Sequence, residues 1–275
     1  MQLLNGIYDT AILLYALSLL FYFSDCLKRN PGGKRLGSGL LVAVGLLQAV
    51  GLAIRFSQEG GLPIFTPYDF LFWFSFSIVL TSLAIAFTRG AEFTILLLSV
   101  AGFSVFLLNR VWLTAKDHTL QSWGAVHGWL VTHIILANLS FAALTLGTAF
   151  AIMYLFLHTR LKNKRWNDRI RRLPSLEVLD KYTYYSVLTG APLLLVSLVV
   201  AGISIVAEGR LLLFQDLKVL TTLIGLGIYI IYLILKWSGR RSGVDMARWA
   251  VVGYGFIILN FLLNSWSKFH GWSGE

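Results

Sequence analysis

The chain has 275 residues, 57% of them apolar and 13% charged, with a net charge of +10 and a mean hydropathy of +0.72. That balance leaves too little polar surface to cover a soluble domain of this length. Cys26 is the only cysteine, which excludes a disulfide within the chain and any CxxC redox or zinc motif.

Apolar runs of about 20 residues, nearly free of charge, recur along the whole chain and read as membrane spans. Backbone groups in lipid must find their hydrogen bonds within the segment, so each run is expected to be a helix. The alternating pattern of a transmembrane barrel is absent. The expected spans are 7–26, 36–56, 68–88, 91–108, 130–156, 185–206, 217–236 and 247–265, an all-α polytopic membrane protein forming a single transmembrane domain over 1–275.

The first run follows an uncharged start and is trailed by Lys28 and Arg29, which reads as a first span with its N-terminus outside and not as a leader peptide. Cys26, at the inner end of that run, is expected to be a packing residue. Arg89 and Gly90 mark a tight turn between the third and fourth spans. With loops assigned alternately to the two sides from that start, the outer side holds Arg55, Arg110, Lys116, Arg210, Lys218 and Lys268, and the other 17 of the 23 Lys and Arg residues fall inside. This is a strong positive-inside bias, with both termini outside. The basic charge is thus a signal of topology and not of nucleic-acid binding. The densest inner stretch, RLKNKRWNDRIRRL from Arg160 to Leu173, spaces Trp166 and Ile170 four apart among cations. That pattern suits a short interfacial helix against anionic headgroups; a solvated positive-inside loop with some lipid contact and a dock for a cytoplasmic partner are the alternatives.

Asp9, Asp25 and Asp69 lie near span ends, and no Walker motif, HExxH, GxSxG elbow or Gly-rich nucleotide loop occurs. Most enzyme classes are therefore disfavoured, and a non-enzymatic role is expected. The histidines draw attention instead. His158 lies at the inner end of the fifth span, where it reads as a C-terminal capping group. His118, His127, His133 and His270 fall on the outer side or its boundary. His127 and His133 are six residues apart, about 240° of helical rotation, so they do not share a face. A ligand gripped by two histidines would take them from different spans, such as His133 in the fifth and His270 just past the eighth.

Aromatic residues crowd the same side: Trp112, Trp123, Trp129, Trp266, Phe269 and Trp272, with Phe65, Tyr68 and Phe214. An interfacial aromatic belt accounts for part of this. The sharper reading is a flat apolar slot of the kind that suits haem, whose iron takes axial imidazoles and whose propionates seek cations such as Lys218.

Three stretches carry a resemblance. GGLPIFTPYDFLFWFSF, from Gly60 to Phe76, joins prolines, a Tyr-acid pair and aromatics at the start of the third span. THIILANLSFAALTLGTAFAIMYL, from Thr132, opens with His133 and continues into the step Ser140, Phe141, Ala142. NFLLNSWSKFHGW, from Asn260, ends in His270. In these motifs, their order and the span number, nearly the whole chain resembles the cytochrome c assembly family, the CcsA-type haem-handling membrane proteins. The resemblance implies that His133 and His270 are the axial pair of a haem b on the outer side. Trp129, Trp266, Phe214, Asp216 and Lys218 are the expected surroundings.

One departure is informative. Between its two histidines the family carries a Trp-rich outer loop ending in Trp-Asp-Pro-Lys. Here the matching loop is EGRLLLFQDLK, which keeps Asp216 and Lys218, places Phe214 and Gln215 before them, and has no tryptophan. That argues against cytochrome c synthesis and for the HemX-type branch, whose role is regulatory. The resemblance then implies a haem-binding or haem-sensing protein of the cytoplasmic membrane, linked to the amount of glutamyl-tRNA reductase. Its expected partners are haem, membrane lipids and that reductase at the basic inner loop, with no nucleic acid. A haem-delivery or cytochrome c maturation component, an exporter of haem or another hydrophobic solute, and a scaffold with merely interfacial histidines are the rival readings.

Overall fold

The computed structural model describes residues 2–59, 61–64, 66–86, 91–112, 127–164, 168–207, 209, 211–239 and 241–262. Their regular elements are all helical: α1 (Gln2–Leu27), α2 (Pro31–Glu59), α3 (Pro67–Ile85), α4 (Glu92–Trp112), α5 (His127–Lys162), the single turn α6 (Asp168–Arg171), α7 (Leu176–Ala207), a 3-10 turn (Leu211–Gln215), α8 (Leu217–Trp237) and α9 (Gly243–Leu262). Eight of these are long and apolar enough to cross a membrane, and they coincide with the eight expected spans. The chain is a multi-pass, all-α membrane protein. The turn expected at Arg89 and Gly90 lies outside the described residues.

The helices outrun the apolar runs at several ends. α5 has 36 residues and α7 has 32, about 54 and 48 Å at 1.5 Å per residue, against a hydrocarbon core of about 30 Å. Hydropathy marks only what lipid covers. The polar first turns of α7 stay helical because Asp180 forms an ion pair with Lys236 of α8. His158 accordingly does not cap a helix end: α5 continues to Lys162, and the His158 ring lies parallel to Tyr154, one turn earlier.

The described residues group into two compact units. Unit 1 comprises α1–α4 with residues 159–175. Within it α1 packs on α2 and α4, and α3 packs on α2 and α4. Tyr8, Tyr15 and Tyr22, seven residues apart along one face of α1, are all buried. Tyr8 stacks on Phe106 with ring centroids 4.1 Å apart and donates a hydrogen bond to its carbonyl at 3.0 Å. Leu3, Leu13, Leu17 and Leu20 of the same helix are exposed, as suits lipid-facing positions. The buried face of α1 thus carries hydroxyl groups that its exposed face lacks at these positions. Lipid is as apolar as leucine, so packing and hydrogen bonds hold the helices together.

Among its described residues the basic inner stretch consists of the end of α5 up to Lys162, a turn, and the four residues of α6, and Ile170 is buried in the protein and not turned to lipid as an interfacial helix would have it. Arg172 explains the difference. Its guanidinium donates to the carbonyls of Asp25 and Cys26 at 2.9 and 3.3 Å, with the Asp25 carboxylate 3.9 Å away. These contacts satisfy carbonyls that the last turn of α1 leaves without helical partners, and they draw the stretch onto unit 1. Trp166 lies outside the described residues. Cys26 is buried, as expected of a packing residue.

Unit 2 comprises residues 118–158 and 176–275. α7, α8 and α9 pack pairwise. α5 and α7 run antiparallel and meet at seven-residue intervals through small side chains. Ser140 donates to the Gly190 carbonyl at 2.8 Å. A Cβ on Gly147 would stand 3.0 Å from the Ser186 Cβ. The same seam continues to His133 and Ser197. Close approach through small residues is how membrane helices gain packing contacts.

Candidate functional site

The site lies at the end of unit 2 where α5 and α8 begin, the end that the charge count assigns to the outer face. His133 sits in the second turn of α5 and is half-buried. Its Nδ1 is 2.9 Å from both the carbonyl oxygen and the Oγ of Ser197. The Ser197 hydroxyl also lies 3.0 Å from the His133 carbonyl, to which it donates. Ser197 itself is fully buried. Trp129 stands one turn before His133 on the same face of α5, with 52% of its surface exposed.

The loop from α7 to α8 completes the arrangement. Leu213 of the 3-10 turn is buried against Ala201 and Ile205 of α7, which fastens the turn. Phe214, the next residue, places its ring beside Gly202, where even a Cβ would stand only 3.8 Å from it. Asp216 is extended and caps α8, its carboxylate accepting the Lys218 amide at 2.8 Å. This fixes the first turn of α8 and the backbone position of Lys218. The Lys218 carbonyl also accepts from Asn260 of α9 at 3.1 Å, and Asn260 bonds to Thr222 as well.

The structure therefore brings His133, Asp216, Lys218 and Phe214 to one end of one unit, with Trp129 beside His133. His270 and Trp266 lie outside the described residues, as do His118 and Trp123. Among the described residues no group of three or more His, Cys, Asp or Glu could hold a metal ion. A cation bound by protein alone needs several such donors. Haem needs fewer protein donors, since its ring nitrogens already hold the iron, and a single oriented imidazole is compatible with one of its protein ligands. The residues present fit that group.

Residues 66–270 match the family described as Cytochrome C assembly protein. The chain belongs to that family. The match opens at Thr66, the residue that caps α3, and ends at His270. Curated relatives agree along nearly the whole length. One named Protein HemX, from Brevibacillus brevis, is 36% identical over 269 residues, 97% of each chain. Another Protein HemX, from Bacillus subtilis (strain 168), is 32% identical over 266 residues, 96% of each chain. Within the family the chain is a HemX-like member.

The family motifs now have local physical explanations. Asp69 of the Tyr-acid pair accepts from the Thr66 amide and hydroxyl, while Thr66 accepts the Asp69 amide, a reciprocal cap on α3. Asp69 also pairs with Arg55 at 2.5 Å, and the Arg55 guanidinium lies 4.8 Å above the Tyr68 ring. Trp73 donates to the Pro63 carbonyl at 2.9 Å. Ser140 belongs to the α5–α7 seam, and Phe141 packs on Phe261 of α9. Sequence reasoning missed Ser197. The signal was there: Thr183, Gly190 and Ser197 recur every seven residues on α7, as His133, Ser140 and Gly147 do on α5.

Proposed function

We propose that this protein binds haem at the outer face of the cytoplasmic membrane and reports its presence to the inner side, where it sets the amount of glutamyl-tRNA reductase. It is a binding and regulatory protein in this reading, not an enzyme. The observation that carries it is the oriented imidazole of His133, half-buried and held by Ser197 at the point where the family's histidine motif begins. His133 and His270 would hold the haem iron, Trp129, Trp266 and Phe214 would pack against its ring, and Lys218 would pair with a propionate, while Asp216 holds the turn that places Lys218. Haem, when bound, supplies an iron with two axial positions to be filled from different elements of the chain. A sensor requires two states with unequal haem affinity, and ligation by two separate segments of the chain would supply that difference. On the inner side, exposed Lys162, Lys164 and Arg171 are available to anionic lipids and to the reductase.

The family description favours a second reading, haem delivery during cytochrome c maturation. The loop after α7 speaks against it. Its 3-10 turn exposes Leu212 and carries Phe214 as its one aromatic residue, where the resemblance calls for tryptophans. Restored thioether attachment in a strain lacking its own synthase would favour delivery over regulation.

The test is the visible absorption spectrum of detergent-purified protein from haem-replete cells, beside His133→Ala and His270→Ala. The expected result is a low-spin, six-coordinate spectrum lost in either variant. Absence of haem even after haemin is added, or a spectrum indifferent to both substitutions, overturns the proposal.

A further inference from the structure

The two Ser197 groups within 2.9 Å of the His133 ring nitrogen Nδ1 can each be assigned a donor or acceptor role. The Ser197 carbonyl oxygen, 2.9 Å away, can only accept. The Ser197 hydroxyl has one proton, and it lies 3.0 Å from the His133 carbonyl, which can also only accept. With the proton committed there, the hydroxyl presents a lone pair to Nδ1 at 2.9 Å. Nδ1 therefore stands between two acceptors and must carry the ring proton. Giving the hydroxyl proton to Nδ1 instead does not rescue the other tautomer. It would set the Nδ1 lone pair against the carbonyl lone pair at 2.9 Å.

We infer that Ser197 is the positioning residue of His133: it fixes the ring in its Nδ1–H form, directs the lone pair to Nε2, and ties the ring to the backbone of α7. The two contacts act together. The carbonyl and hydroxyl hold the ring, while the hydroxyl proton on the His133 carbonyl locks the register of α5 on α7. Ser197 is fully buried, so water does not compete for these bonds. A ligating histidine that donates its other N–H to an acceptor is held in tautomer and direction, and the donation raises its basicity toward iron. The seam makes this precise in space. Ser140 bonds to Gly190 seven residues from both His133 and Ser197, so the helices are keyed two turns from the site. A histidine on a solvated helix end has no such constraint and exchanges its ring proton between both nitrogens. The relevance to haem rests on the function proposed above; the tautomer does not.

The test uses the full-length, haem-free protein labelled with 15N-histidine in lipid nanodiscs, with the His133 signals identified by their loss in His133→Ala. Long-range proton–nitrogen spectra separate a protonated ring nitrogen from a bare one. The wild type is expected in the Nδ1–H form. Ser197→Ala keeps the backbone carbonyl but loses both hydroxyl contacts that hold the ring and the α5 register against it, so a minority Nε2–H form should emerge and added haemin should bind about 10-fold or more weakly, the range seen when such an outer contact is removed. Ser197→Thr, which keeps the hydroxyl, should restore both. An Nε2–H ring in the wild type overturns the inference, and so does a Ser197→Ala protein identical to wild type in tautomer and haemin affinity. A wild type in the Nδ1–H form that binds no haemin instead strikes the proposed function and leaves the Ser197 assignment of the tautomer standing.

Discussion

At the scale of single residues, burial decides which charges matter. Arg55 and Asp69 form an ion pair with side chains only 6% and 2% exposed, whereas Arg110 and Asp9 pair at 38% and 56%. Removing one partner of a buried pair leaves an uncompensated charge and costs about 3–5 kcal/mol. An exposed pair contributes roughly 0–1 kcal/mol. Arg55→Leu should therefore lower the unfolding midpoint in detergent sharply, while Arg110→Leu should leave it nearly unchanged; equal effects would refute the distinction. Asp69 was visible in the sequence as an acid near a span end and as part of a family motif. Its partner was not, because Arg55 reaches it through the packing of α2 on α3. Ser197 shows the same limit. Its seven-residue recurrence with Gly190 and Thr183 marks a packing face of α7, but only the packed helices show that its contact is a histidine 64 residues away.

At the scale of elements, the α5–α7 seam ties stability to the site. A Cβ on Gly190 would stand 2.7 Å from the Leu144 Cγ and 3.2 Å from the Ser140 carbonyl oxygen. The leucine has little freedom in a packed seam and the backbone has less. Gly190→Val should thus force the helices apart at a cost of about 1–3 kcal/mol. The His133 to Ser197 contact, two turns along, should weaken with it and reduce haemin binding. Gly227 of α8, beside which nothing lies within 4 Å, is the control. Gly227→Ala should stabilise the protein slightly, since alanine is the better helix former by about 1 kcal/mol. Thermal unfolding of both variants checks the pair, and a Gly190→Val protein as stable as wild type would disprove the tight seam. Helix existence was legible at this scale, since hydropathy alone located all eight spans. Helix ends were not, because α5 and α7 continue past the apolar runs and are held there by contacts such as Asp180 with Lys236.

At the scale of the whole molecule, orientation is a statement about charge. The positive-inside count predicts that a reporter fused in the loop at Lys164 reads as cytoplasmic and one after Glu275 reads as external. The reverse result would place the His133 end of unit 2 on the cytoplasmic side and remove the outer haem site. The inner basic stretch carries a caution about reading cations as free. Arg172 belongs to the end of α1, so the cations left for a partner are its exposed neighbours and not the whole run.

The sequence by itself determined the class of the molecule. A chain so apolar, with runs of span length and cations gathered on one set of loops, has no other stable solution than a helical membrane protein. Its motifs further named the family that the comparisons established. What only the tertiary structure decided is which polar groups meet. Hydropathy is a sum over neighbours along the chain, but the bonds of His133 with Ser197, Arg55 with Asp69 and Ser140 with Gly190 join different helices. Their energy comes from excluding water and lipid at a particular crossing, and that crossing exists only once the helices have packed.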